Sequence, residues 1–275
     1  MTAITLSAIY IYPVKSFSGI AVDAWEVDGK GLKLDRKWMV VDQQHEFLSQ
    51  RRLPLMVKVK TRILADALQL SAPGMGSISF PLTQEQGPVI TTSIWKDSCP
   101  ATLVSEQVDQ WLSDFLHTPC HLVYQADETV RQVDQKFARP ADKTNFSDGF
   151  PFLIISENSL AALNQKMPAP LPMSRFRPNL VITGCDSFTE DTWRRISVAD
   201  ITFRLPKPSG RCPVTTVDAK TARYGKEPLK TLSRFRKLGS KVYFGQNAIH
   251  DNPGKLRIGD EILILETGHP QPDLS

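Results

Sequence analysis

The stretch PSGRCPVTTVD, Pro208 to Asp218, sets one cysteine between an arginine and a proline. Pro213 biases Cys212 toward an extended backbone, and Gly210 leaves room for close backbone approach. The Arg211 guanidinium favours the thiolate, the form that attacks electrophiles and binds metals. From its neighbours alone Cys212 therefore reads two ways, as a reactive or metal-binding thiol or as a structural thiol packed beside a strand. Cations beside sharp turns form a second group. Lys15 follows Tyr12-Pro13-Val14, and Arg36 follows Asp35 just before an apolar run at Trp38. In SRFRPN, alternation along an extended chain predicts Arg175, Arg177 and Asn179 on one face. Several guanidinium groups and a lysine could grip a phosphate, arginine offering two parallel hydrogen bonds. Taken singly, each reads as a solvated surface charge.

Other patterns carry less. HTPCH, His117 to His121, places two histidines and Cys120 together, but Pro119 breaks helical spacing and no second ligand pair lies elsewhere, so zinc fits poorly. APGMGS, Ala72 to Ser77, lacks a full dinucleotide fingerprint and reads as a hairpin turn. Asp218 offers itself as a protein acid but reads better as a strand-end residue. There is no Walker A loop, no G-x-S-x-G elbow and no H-E-x-x-H helix. The cysteines at 99, 120, 185 and 212 form no C-x-x-C pair and read as reduced thiols.

Short β-type runs must position these groups. They are expected at Ile4–Tyr12, Trp38–Asp42, Phe47–Ser49, Leu55–Thr61, Val89–Trp95, Asn179–Thr183, Ile201–Arg204 and Glu261–Leu265. Ser105 reads as the N-cap of a helix to about Leu116, and Ser156 as the cap of SENSLAALNQKM, ended by Pro168. A third helix is expected from Pro228 to about Lys237. Tyr124–Gly149 is polar and aperiodic, either a connection between two lobes or a mobile loop over a site. The whole is a mainly β chain with α+β elements. In a chain of 275 residues one large domain or two modest ones are expected. The net charge is +4 and the isoelectric point about 8.8. No clustered basic run with interleaved aromatics supports nucleic-acid binding, and a small anionic ligand suits the balance better. No apolar run reaches the length of a membrane span, and the N-terminus reads as a first strand instead of a signal peptide. A cytoplasmic location without membrane attachment is the expectation.

Seven stretches also occur in a familiar order: YPVKS (Tyr12–Ser16), DRKW (Asp35–Trp38), FRPN (Phe176–Asn179), GCD (Gly184–Asp186), RCPVTTVD (Arg211–Asp218), KEPLKTL (Lys226–Leu232) and FGQN (Phe244–Asn247). Together they resemble the MOSC family, named for the C-terminus of molybdenum cofactor sulfurase, and within it the amidoxime reducing components of mitochondria and their bacterial counterparts. The resemblance implies a MOSC N-terminal β lobe over residues 1–122, a MOSC β-barrel over 123–268 and a short tail, 269–275. It implies that Cys212 is the protein ligand to molybdenum and the catalytic centre, with two further sulfurs from a pterin dithiolene. Lys15, Ser16, Arg36, Arg177, Asn179, Gly210, Arg211 and Asn247 would be contacts to the molybdenum cofactor (Mo-molybdopterin), with Phe150 and Pro151 on a neighbouring loop. Phe150 departs from the family pattern, which has a smaller residue there. The implied activity is reductive removal of oxygen from N-hydroxylated compounds such as amidoximes, hydroxylamines and N-hydroxylated bases. The alternative is a non-catalytic carrier of the cofactor or of persulfide sulfur on Cys212. No C-x₄-C-x₂-C iron–sulfur signature is present, so an Fe–S cluster is not expected in this chain, and electrons would come from a separate ferredoxin-like or flavin-dependent protein.

Overall fold

The structure is a computed structural model that describes residues 3–83 and 87–274. Its largest sheet has nine strands. Eight run in the order Ile262–Thr267, Trp193–Val198, Ile201–Arg211, Lys241–His250, Phe152–Ser156, Leu180–Thr183, Thr5–Ile11 and Ile20–Val22, and Lys237–Leu238 folds back on Lys241–His250. Within that order Phe152–Ser156 and Leu180–Thr183 pair in parallel, joined by a crossover. The strands' inward residues, Leu6, Ile9, Ile154, Ile182, Trp193, Ile196 and Phe203 among them, form the main core. The first strand pairs with Leu180–Thr183, and Ala24–Asp28 pairs with Gly254–Arg257. The start of the chain is thus woven into sheets built by its second half.

A four-stranded antiparallel sheet contains Trp38–Val41, His121–Tyr124, Asp97–Leu103 and Val89–Ile94. Both its faces are covered. Trp38 and Val40 point into one cluster, while Met39 and Val41 point into another. Because apolar atoms meet it on both sides, WMVV is buried at every position. Helix α1 (Glu106–Leu116) lays Val108, Leu112, Phe115 and Leu116 inward, with the Ser105 hydroxyl accepting from the Val108 N–H at 3.2 Å. APGMGS is the turn between Ala67–Ser71 and Ile78–Pro81.

Several expected boundaries shift for visible reasons. Phe47–Ser49 is not a strand; Phe47 makes one isolated bridge to Val41. Leu55–Thr61 is not one strand: Pro54 opens a 3₁₀ turn to Lys58, and pairing begins only at Lys60. The strand expected to stop at Arg204 continues to Arg211 through Pro206 and Pro208, because register shifts at 204–207 and 208–210 absorb the missing donors. Helix α2 (Glu157–Asn164), capped by Ser156, ends before Gln165. The helix expected from Pro228 to Lys237 is a single turn, α3 (Leu229–Leu232). Among the described residues no helix is long and apolar enough to cross a membrane.

Candidate functional site

A cleft of about 1300 Å³ opens between the two main sheets. Ten Lys and Arg residues and three Asp residues line it, an excess of seven positive charges in a chain whose whole net charge is +4. Charge of one sign in a concave, weakly polarisable wall concentrates an attractive field for anions.

Its first wall joins two of the sequence motifs. The Lys15 N–H donates to the Trp38 carbonyl at 2.9 Å, the Arg36 N–H to Tyr12 O at 2.8 Å, and the Trp38 N–H to Pro13 O at 3.1 Å. YPVKS and DRKW are therefore zipped together along their backbones. Tyr12 is fully buried, and both Arg36 and Arg177 stack on its ring, with guanidinium carbons 4.4 and 4.2 Å from the centroid. Burial, opposed by those two cations, pushes the Tyr12 phenol up to about 12, so it stays neutral. Asp35, buried behind them, pairs with Arg36 and accepts the Tyr12 N–H at 2.8 Å. Burial pushes its carboxyl up, and Arg36 works against that rise. Arg177 is drawn down to about 10 by burial and still carries its charge at neutral pH.

Ser16, Arg36 and Arg177 have φ of 71°, 49° and 57°. Left-handed backbone costs a residue with a Cβ roughly 1–2 kcal/mol, so three expected contact residues sit in strained turns lining one cleft. That geometry also corrects the expected alternation in SRFRPN. Met173–Arg175 is a 3₁₀ turn and Arg177 is left-handed, so the two arginines part. Arg175 reaches Asp218 at 3.1 Å, whereas Arg177 reaches the Phe17 carbonyl at 2.5 Å.

The second wall carries Cys212. Its backbone is extended, φ −127° and ψ 172°, as the following proline dictates. The two threonines of RCPVTTVD fold back on it: Thr215 Oγ1 donates to Cys212 O at 2.9 Å and Thr216 Oγ1 to Pro213 O at 2.8 Å. Asp218 ends the motif by accepting the N–H groups of Lys220 and Thr221, both at 2.9 Å, a turn-capping role. Cys99, Cys120 and Cys185 are buried; Cys212 is half-buried on the cleft wall, and all four are free thiols. Burial pushes Cys120 and Cys185 up to about 11, which makes them inert. Arg211 donates to Phe176 O at 2.6 Å and to Ser209 Oγ at 3.0 Å.

The loop 125–149 is the third wall, packed and not free over the site. Arg131 is buried in it and donates to Asn145 O and Ser147 O at 2.9 and 2.7 Å. Phe146 N–H reaches Arg36 O at 2.9 Å, and Lys15 Nζ reaches Phe146 O at 2.9 Å. Lys15 also pairs with Asp148. Asp148 keeps an exposed side chain at the cleft; partial desolvation there raises its carboxyl, but the Lys15 ammonium beside it, with Arg51 and Trp95, holds it well below its usual range. Burial lowers Lys15, with Asp148 opposing.

Of the expected contacts, Lys15, Ser16, Arg36, Phe150, Arg177, Asn179, Gly210, Arg211, Cys212 and Asn247 all line this cleft. Pro151 does not; it is buried with its Cβ against Gly31. Asn179 is already engaged, its Oδ1 accepting Arg36 Nη1 at 3.0 Å and its Nδ2 donating to Tyr10 O at 3.2 Å, so its part is to hold Arg36. Gly210 has no close protein neighbour to require it. A Cβ there would stand 3.8 Å from Tyr243 and 3.9 Å from Lys241, so the missing side chain widens the cleft. Sequence reasoning missed Tyr12, Trp95, Arg131 and Asp148. Tyr12 stood in a quoted motif without a visible role, and the others lay in runs with no periodic signal.

Comparison with known proteins matches residues 3–119 to the MOSC N-terminal beta barrel domain and residues 141–263 to the MOSC domain. The chain belongs to the MOSC family. It is 32% identical over 280 residues to mitochondrial amidoxime-reducing component 1 of Homo sapiens, covering 95% of this chain and 83% of that protein. The Mus musculus counterpart is 31% identical over the same length, with 95% and 82% covered. Molybdenum cofactor sulfurase of Danio rerio is 31% identical over 289 residues, 94% of this chain but 34% of that one.

Proposed function

We propose that this chain is a molybdenum-cofactor oxidoreductase that reduces N-hydroxylated compounds to amines or amidines. One observation carries the reading: a half-buried thiol, Cys212, on the wall of a cleft with seven excess positive charges. The donor set suits an anionic pterin. The buried nitrogens Arg177 Nη2 and Arg211 Nε have no protein acceptor, and both residues line the cleft, where a bound anion would meet them. Among the described residues no three His, Cys, Asp or Glu converge as metal ligands, so a metal at Cys212 would draw its other ligands from a bound group.

Lys15, Arg36 and Arg177 would hold the phosphate, with Ser16 beside them and Asn179 bracing Arg36. Cys212 would supply the thiolate ligand, steadied through its carbonyl by Thr215, and Arg211, Asn247 and the Gly210 backbone would border the pterin. The bound cofactor supplies two-electron redox chemistry. Overall, R–NHOH takes two electrons and two protons and leaves as R–NH₂ and water. Asp148 is held ionised beside Lys15 and is not a proton donor at neutral pH; protons reach the open cleft from solvent. The proposal includes a separate electron-donor protein and a cytoplasmic setting.

The test is molybdenum per chain by elemental analysis, with turnover of benzamidoxime by reduced viologen, on wild type and Cys212→Ser made in cells that build the cofactor. Near-stoichiometric metal and turnover in wild type, with an inert variant, are expected. Full activity in Cys212→Ser overturns the assignment. Similarity to the sulfurase favours a second reading, a persulfide carrier. A sulfur adduct on Cys212 by mass spectrometry, without molybdenum, would select it.

A further inference from the structure

The cleft holds more positive charge than one pterin phosphate needs, and part of it is unpaired. Lys15, Arg36 and Arg131 have Asp148, Asp35 and Asp97 as partners. Lys207, Lys241 and Lys136 line the same cleft with no carboxylate at ion-pair distance among the described residues. Lys207 and Lys241 come from paired strands, Ile201–Arg211 and Lys241–His250, and Lys136 from the loop 125–149. The Lys207 ammonium rests 4.4 Å from the ring centre of Phe137 and 5.8 Å from that of Phe150. Tyr243 and Lys241 overlie Gly210, only two residues before Cys212. Burial, together with Lys241 and Lys136, lowers the Lys207 amine, while Asp134 acts the other way. Three lysine charges are thus gathered beside half-buried aromatic rings on the wall that carries Cys212, with Asp134 close enough to act on Lys207 but no carboxylate at ion-pair distance among the described residues. An aromatic ligand carrying a phosphoryl group satisfies both features: the anion meets the lysines and the ring stacks on an aromatic wall.

We propose that this lysine–aromatic wall is a substrate subsite for the phosphoryl end of a nucleotide, so that N-hydroxylated nucleoside monophosphates are preferred over the free nucleosides. The preference rests on the reductase reading for its chemistry, but the binding does not. The reaction is unchanged, with the N–O bond broken by two electrons from the donor protein and two protons, and water released.

The experiment compares 6-hydroxylaminopurine ribonucleoside with its 5′-monophosphate, using reduced viologen and the molybdenum-loaded enzyme. The expected kcat/KM ratio favours the monophosphate by about tenfold or more and shrinks as salt rises. The double variant Lys207→Met with Lys241→Met is expected to bring the ratio near one. A wild-type ratio at or below one overturns the proposal. Calorimetric titration of the same protein with adenosine 5′-monophosphate provides a readout independent of turnover. Binding weakened about tenfold in the lysine variant, and unchanged in Arg177→Met, supports the subsite even where no turnover is seen and the reductase reading fails. Binding lost in Arg177→Met and kept in the lysine variant assigns the phosphate to the pterin cradle and overturns it. Release of one nucleotide per molybdenum on acid hydrolysis of the enzyme would assign these lysines to a nucleotide on the cofactor, which also overturns the substrate assignment.

Discussion

Two buried polar clusters in this molecule contain the same kinds of groups and differ in how they are finished. One lies under α2 and the strand Lys241–His250. There Glu190 accepts the Ser156 N–H at 3.1 Å and the Ser159 hydroxyl at 2.9 Å, while Asp191 meets Gln246 Nε2 at 2.6 Å and Arg236 Nη2 at 2.7 Å. All four carboxylate oxygens have a partner, and both residues are at most 3% exposed. The other cluster, around Cys212, leaves Arg177 Nη2 and Arg211 Nε with neither a hydrogen bond nor an ion pair among the described residues. Arg236 Nη2 also lacks a well-directed hydrogen bond but still lies against the Asp191 carboxylate. Three cleft residues are also held in left-handed backbone. A polar cluster that closes on itself stabilises the fold. One that stays open and strained is shaped for something that binds.

The comparison is broken most sharply at Asp191. Asp191→Ala strands Arg236, which is 5% exposed, and is expected to cost about 3–5 kcal/mol in urea unfolding, the usual consequence of orphaning a buried charge. A cost under about 1 kcal/mol would show that the first cluster is not structural in this sense. Arg177→Met should behave in the opposite way. Its guanidinium has one carbonyl partner and a like-charged neighbour, so stability should move by less than about 1 kcal/mol, while molybdenum retained on gel filtration should fall severalfold.

Glu190→Gln sharpens the contrast through pH. Burial raises the Glu190 carboxyl above its ordinary 4.5. A carboxyl with a raised folded-state value binds its proton more tightly in the native state, so its contribution to stability is largest below 4.5 and declines as pH rises through the folded value. The stability of Glu190→Gln relative to wild type should therefore improve from pH 4 upward; a difference that is flat with pH would refute the assignment. Ser105→Ala, remote from both clusters, is expected to cost about 1 kcal/mol from the lost α1 cap, with molybdenum content and turnover unaltered.

Much of the site was legible because it lies in short ordered motifs with local physics. Pro213 fixes the Cys212 backbone, and the Thr-Thr pair has carbonyls three residues back to grip. What the motif glycines are for was not legible: Gly184, at φ +87°, would place a Cβ 2.3 Å from the Ala3 carbonyl, and Gly245, at φ +78°, 2.6 Å from Ile155, both contacts with distant parts of the chain. The divergence of Arg175 and Arg177 was not legible, because a left-handed residue reverses the alternation that extended spacing predicts. Nor was the long strand through Pro206 and Pro208, which depends on bulges that only a paired neighbour can induce.

By itself, then, the sequence determined the residue types: one cysteine between arginine and proline, cations beside turns, caps at Ser105 and Ser156, and a mainly β pattern. Only the tertiary structure decided convergence. It brought Lys15, Arg36, Arg177 and Cys212, up to 197 positions apart, onto one cleft, and it sorted the lysines and arginines into those with carboxylate partners and those without. Spacing along the chain encodes local dihedrals and faces. Charge neutralisation depends on distances across the fold, which are set by how the sheets pack and by where the loop 125–149 is anchored between them.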